Sequence, residues 1–215
     1  MLDIIQTKSF VEKLAEYIKF EKRRFEVKNG HTIFDKPHKN LGWGIKNAFV
    51  QALKDFMPNA TINSILGNNM GDVVEVDGVP LCLRSRWNAK EEYPSVITFQ
   101  KTYTMDEMVK LYGLLNTKQI KEVIMKKDDF KIDTKFIIYL TYDPYNVNKV
   151  SLSVIENREE YSYVYAYAGT SLRKEARILG STIKELVDGS TINALNDSEI
   201  DLMDYQQYKK RKKIA

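Results

Sequence analysis

Cysteine occurs once in the 215 residues, at Cys82, histidine twice and proline five times. A single cysteine excludes an internal disulfide and suits a chain that works, or is assembled, inside a cell. His31 and His38 share one segment, and with one distant cysteine they fall short of the three or four ligands that zinc requires. No run of about 18 apolar residues is present, so no membrane-spanning helix is expected. The opening MLDIIQTKSF lacks a basic region, an apolar stretch and a small-residue cleavage site, so no secretory leader is expected. A glycine-rich phosphate loop, a dinucleotide fingerprint and a serine-nucleophile elbow are all missing. No internal repeat is found. Lysine, asparagine, isoleucine and tyrosine are frequent, which suits an A/T-rich genome such as those of many phages and Gram-positive bacteria. The expected location is the cytoplasm or a phage particle.

Net positive charge is also confined to one place. The formal net charge is +4, and Lys209, Lys210, Arg211, Lys212 and Lys213 supply five positive charges, so taking them away leaves −1. The body of the chain is therefore close to neutral, which weakens a simple electrostatic argument for nucleic acid. What is present is ordinary for a packed domain: 43% hydrophobic and 29% charged residues. Residues 1–189 are expected to form one globular domain, and residues 190–215 a loosely structured polar tail ending in the basic cluster.

The spacing predicts a helix from Ser9, whose pairing with Glu12 has the form of a capping box, ending near Asn29-Gly30. Residues 30–44 read as a loop. A helix runs from Ile45 to Phe56, with Ile45, Phe49, Ala52 and Phe56 on one stripe and Pro58 beyond its end. Strands are predicted over 93–103, 135–143, 149–156 and 160–168. Helices are predicted from Thr104, over Thr117–Lys126, and over Ser171–Val187 on a seam of Leu172, Ala176, Leu179, Ile183 and Leu186. This order argues for an α+β fold with a mixed or antiparallel sheet and flanking helices, and against an alternating parallel array.

The segment GDVVEVDGVPLCLRSRW, residues 71–87, carries the most specific signal. Asp77-Gly78 suits the positive φ angles of a two-residue type I′ turn. The register then follows: Val76 faces Val79, Val74 faces Leu81, and Asp72 faces Leu83. These residues share one face, while Val73, Glu75, Cys82, Arg84 and Arg86 share the other.

Over residues 45–103 the chain resembles the central hairpin of the restriction-endonuclease-like superfamily, the PD-(D/E)XK nucleases. The resemblance rests on the helix at 45–56, the strand opening with Asp72, the return strand, and Tyr93-Pro94 leading to Phe99. It implies that Asp72 is a catalytic residue and magnesium ligand, that Mg2+ is the cofactor, and that the substrate is double-stranded DNA. The family pattern also needs an acid and a lysine on the return strand. Leu83 and Ser85 stand there instead, so the metal centre is incomplete. A second acid–spacer–lysine pattern, Asp133-Thr134-Lys135 with Asp128 and Asp129 upstream, also has the character of a solvated loop.

Arg84, Arg86, Trp87 and Lys90 are candidates to grip phosphate and stack on a base. The alternative is a solvent-facing strand with Glu75, Glu91 or Glu92 as partners. The basic cluster 209–213 adds salt-sensitive affinity for nucleic acid or is a solvated end. Tyr161, Tyr163, Tyr165 and Tyr167 alternate along one strand, as a stacking platform, a contact surface for another subunit, or packing beneath a helix. Two functions follow. One is DNA binding or processing on a nuclease-like hairpin, with magnesium-dependent hydrolysis if the centre can be completed. The other is a non-enzymatic assembly protein, such as a virion component, acting through contacts in a homo-oligomer or larger assembly.

Overall fold

The computed structural model describes residues 1–29, 38–68, 71–87, 96–113, 117–126, 134–142, 147–156, 162–168, 171–179, 192–195, 199 and 201–214. The chain opens with a short helix α1 (Leu2–Ile5) and a long α2 (Lys8–Asn29). The cap of α2 is Thr7, two residues before the expected Ser9. Its Oγ1 accepts the Phe10 backbone N–H at 3.2 Å and donates to the Ile4 carbonyl at 2.7 Å, which ties the two helices together. Helix α3 (His38–Phe56) begins seven residues before the expected Ile45. His38 and Trp43 therefore lie on a helix and not in a loop, while His31 lies outside the described residues.

Three antiparallel strands follow: β1 (Ile62–Asn68), β2 (Gly71–Val76) and β3 (Val79–Trp87). Strand β1 has no counterpart in the sequence reading, because INSILGN shows neither clean alternation nor a dense β-branched run. The β2–β3 register is the expected one, with Val76 opposite Val79, Val74 opposite Leu81 and Asp72 opposite Leu83. Asp77 and Gly78 have φ values of 49° and 80°, the positive pair that a type I′ turn needs. Asp77 also bonds back to β1, accepting the Thr61 N–H on its Oδ1 at 2.8 Å and donating its own N–H to the Thr61 carbonyl at 2.9 Å.

Next come β4 (Val96–Thr104), α4 (Met105–Tyr112), α5 (Thr117–Lys126), β5 (Phe136–Tyr142) and β6 (Lys149–Glu156). Strand β5 lies parallel to β3, with Leu81 beside Phe136 and Trp87 beside Tyr142. A parallel pair cannot be joined by a tight turn. The β4–α4–α5 segment is the crossover that makes it possible. The sheet order is β1-β2-β3-β5-β6-β9, where β9 is Ile192–Leu195, and every neighbouring pair except β3–β5 is antiparallel. The fold is α+β with an open mixed sheet and flanking helices.

The main core lies between one face of this sheet and helices α2 and α3. Val74, Val76, Leu81, Leu83, Ile138, Leu140, Val150 and Leu152 meet Phe10, Leu14, Ile18, Phe49 and Leu53 there. The reason is periodicity: alternate strand residues and the i, i+3, i+4 rows of both helices are apolar. Cys82, Ile137, Tyr139 and Ile155 are also buried, but they belong to the opposite alternation of the sheet. The central strands are therefore covered on both sides, and FIIYL in β5 reads as a continuous apolar run for that reason.

A second sheet has the order β4-β8-β7, with β7 at Ser162–Ala168 and β8 at Ser171–Leu179. This corrects the helix expected over 171–187 for its first nine residues, and residues 180–187 lie outside the described set. Residues 171–179 pair with β4 along the whole strand, from Thr104–Ser171 to Val96–Leu179, and also pair with β7. Leu172, Ala176 and Leu179 fit a helical seam, but Leu172, Lys174, Ala176 and Ile178 also alternate. Pairing on both sides overrides local helix propensity. Helices α4 and α5 close a small second core of Tyr103, Met108, Ile120 and Ile124.

The C-terminal residues expected to be loose are also corrected. Helix α6 (Leu202–Ile214) carries the basic cluster as ordered helix, and Tyr205 and Tyr208 are buried in the main core. No helix among the described residues is long and apolar enough to cross a membrane.

Candidate functional site

Two regions hold the residues singled out by sequence. The first is the β2–β3 hairpin. Asp72 opens β2 and pairs with Leu83, in the alternation that runs through Val74 and Val76. A leucine offers magnesium no oxygen, and Ser85 follows on the same alternation. The residues across from Asp72 therefore do not fit a two-carboxylate metal centre. Among the described residues, no group of three or more His, Cys, Asp or Glu side chains is placed to hold a metal ion.

Arg84 and Arg86 fall on the opposite alternation. They lie in register with Tyr139 and Thr141 of the parallel strand β5, and Trp87 in register with Tyr142. In register, Trp87 thus shares the alternation of Asp72 and Leu83, and the two arginine positions share the other. Arg84 is half-buried, and Ser85 is exposed. Glu75 accepts a hydrogen bond from Asn63 Nδ2 at 3.0 Å, across the β1–β2 ladder. Lys90 lies outside the described residues, as do Asp128, Asp129 and Asp133. Thr134 is buried and Lys135 exposed, with its Nζ 5.4 Å from the centroid of the Phe136 ring.

The tyrosine strand is β7. Tyr161 lies outside the described residues, while Tyr163, Tyr165 and Tyr167 pair with Ala176, Lys174 and Leu172. Leu172 pairs in turn with Tyr103, whose side chain is buried against α4 and α5. In register, the tyrosine positions therefore share the alternation of Leu172 and Tyr103.

The second region is the contact of α6 with α2 and α3, which sequence reasoning missed. Tyr208 donates its hydroxyl to Glu21 Oε1 at 2.7 Å, and Arg24 holds Glu21 Oε2 at 2.7 and 2.8 Å. The Glu21 side chain is 0% exposed, so both partners are needed to offset its desolvation. Three residues along α6, Arg211 Nη1 lies 2.9 Å from Asp55 Oδ1, and Tyr17 donates to Asp55 Oδ2. Tyr17 and Tyr208 stack with centroids 5.1 Å apart. Burial raises both hydroxyls well above the usual phenol range, helped by Asp55 for Tyr17 and by Glu21 for Tyr208. Lys209 sits over the Tyr205 ring at 4.9 Å, and Lys210 is exposed. The side chains of Lys212 and Lys213 are outside the described set. A weak signal was available: Tyr205 and Tyr208 have the i, i+3 spacing of one helix face.

No protein-family model, curated protein or solved structure matches the chain.

Proposed function

We propose that this protein binds double-stranded DNA on a hairpin resembling that of restriction-type nucleases, without the complete metal centre that cutting requires. One observation carries this reading: α3 leads into a three-strand meander whose second strand opens with Asp72, directly opposite Leu83. The arrangement supports the helix–hairpin resemblance and leaves Asp72 without a carboxylate partner across the ladder. Arg84, Arg86, Trp87 and Lys90, with Lys209, Lys210, Lys212 and Lys213, are the proposed DNA contacts, and Arg211 lies among the second group but is paired with Asp55. Ordered helix favours this use of the basic cluster, because charges fixed on a docked helix lose less freedom on binding than charges on a loose tail.

The test is binding of a short labelled duplex by the full chain across a salt series, with magnesium or calcium present. Full-length substitution is cleaner than truncation at 208, because truncation would remove the last turns of a docked helix. Neutralising Lys209, Lys210, Lys212 and Lys213 to glutamine, with Arg211 kept, is expected to weaken binding and flatten its salt dependence. Arg84→Gln with Arg86→Gln is expected to weaken it further, and no cleavage product is expected. Magnesium-dependent cutting lost in Asp72→Ala would replace this reading with an active nuclease. Absence of salt-sensitive duplex binding would leave subunit assembly as the function. Strand β7 favours that second reading, because among the described strands it pairs only with β8 and so is a sheet edge.

A further inference from the structure

The five cationic residues at the end of α6 are not equivalent. Lys210 is exposed, whereas Arg211 is already engaged by a carboxylate of another element, Asp55 near the end of α3. The Asp55 side chain is 27% exposed and that of Arg211 is 54% exposed, so the pair is open to solvent and to competing ions. Asp55 is itself held in place, because its second oxygen accepts the Tyr17 hydroxyl. The Arg211 Nη1 that reaches Asp55 is also 3.4 Å from that hydroxyl. A guanidinium presents its donors as a planar fork that suits one carboxylate or one phosphate. A phosphate approaching Arg211 must therefore compete with Asp55. The anchored part of α6, with Tyr205 and Tyr208 buried, does not need to move for that exchange.

We propose that Asp55 is a built-in competitor for phosphate, which withholds Arg211 and makes the basic end of α6 a gated docking surface for duplex DNA. The proposal rests on the DNA-binding reading above. An exposed ion pair contributes about 0–1 kcal/mol, so the gate weakens affinity by no more than about fivefold. Its signature is in the salt dependence. Each phosphate contact adds roughly 0.9 to the slope of log K against log salt on duplex DNA.

The experiment measures that slope for the full-length wild type and four variants on a short fluorescent duplex. Asp55→Asn keeps an acceptor for Tyr17 and releases Arg211. It is expected to tighten binding by about two- to fivefold at low salt and to steepen the slope by about one. Arg211→Gln is expected to leave the slope at its wild-type value, whereas Lys210→Gln lowers it by about one. Asp204→Asn removes the same charge from α6, and Asp204 forms none of the described ion pairs, so it leaves the slope unchanged. Thermal melting checks that each variant is folded. An unchanged slope in folded Asp55→Asn overturns the gate. If Asp55→Asn does not fold, the Arg211→Gln slope decides, and a drop equal to that of Lys210→Gln overturns the gate. If neither wild type nor any variant binds duplex, the DNA reading fails, and the same series is run on heparin. A steeper slope for Asp55→Asn on heparin keeps the gate for a different polyanion, and no change there overturns it.

Discussion

The β2–β3 hairpin and the α6 anchor are both places where charged residues meet a packed core, and they are built in opposite ways. The hairpin follows from local rules: an Asp-Gly turn, strict alternation, and one acid at the strand opening, with a leucine across from it. The anchor is assembled from three elements far apart in sequence, and its described polar groups are matched. Glu21 has Tyr208 and Arg24, and Asp55 has Tyr17 and Arg211. A motif-like hairpin can lack its partner residues, while a complete polar network can exist with no motif at all.

The comparison breaks most sharply at Tyr208. Tyr208→Ala removes a stacked ring and a partner of a buried carboxylate, and is expected to cost about 3–5 kcal/mol, measured as a shift in the urea midpoint. Tyr208→Phe keeps the ring and removes only the hydroxyl that Glu21 accepts. It is expected to cost about 1–3 kcal/mol, and an equal loss in both variants would show that packing contributes little. On the hairpin side, Gly78→Ala places a Cβ at a φ of +80°, although nothing crowds that position. The expected cost is about 1–2 kcal/mol from backbone conformation alone, and a larger loss in the midpoint would mean the turn fails altogether. Arg211→Gln is the smallest of the set, at about 0–1 kcal/mol, because its ion pair is open to solvent.

Alkaline pH tests the anchor in a second way. Tyr17 and Tyr208 are raised, mainly by burial, and burial also pushes Tyr142 up to about 12. A raised phenol keeps its proton in the folded chain after the unfolded chain has lost it. The resulting stability is full below the unfolded value of 10.0 and falls as pH rises through the folded values. Stability curves from about pH 8 upward should therefore bend down near about 10. Tyr208→Phe should make that fall shallower, and an unchanged fall would remove Tyr208 from the account.

Much of the fold was legible in the residues. Asp77-Gly78 specified its turn because few residues tolerate two successive positive φ angles, and the hairpin register followed from the alternation around it. Helix α5 and strand β6 matched their expected bounds because their apolar periods are clean and uninterrupted. Asp72 was placed opposite Leu83 from sequence alone, so the gap in the metal centre was legible too. Strand β1 was not, because its pattern is weak and its partner supplies the order. Residues 171–179 were misread because their spacing satisfies a helix and a strand, and only pairing with both β4 and β7 decides between them.

Local sequence specified the hairpin and the amphipathic helices, because each depends on neighbours a few residues apart, and composition alone limited cysteine and histidine to three residues. Tertiary structure decided the parallel β3–β5 pair, the strand identity of β8 and the docking of α6. Each of those depends on partners brought together across the fold, whose combined burial and hydrogen bonding outweigh local preference.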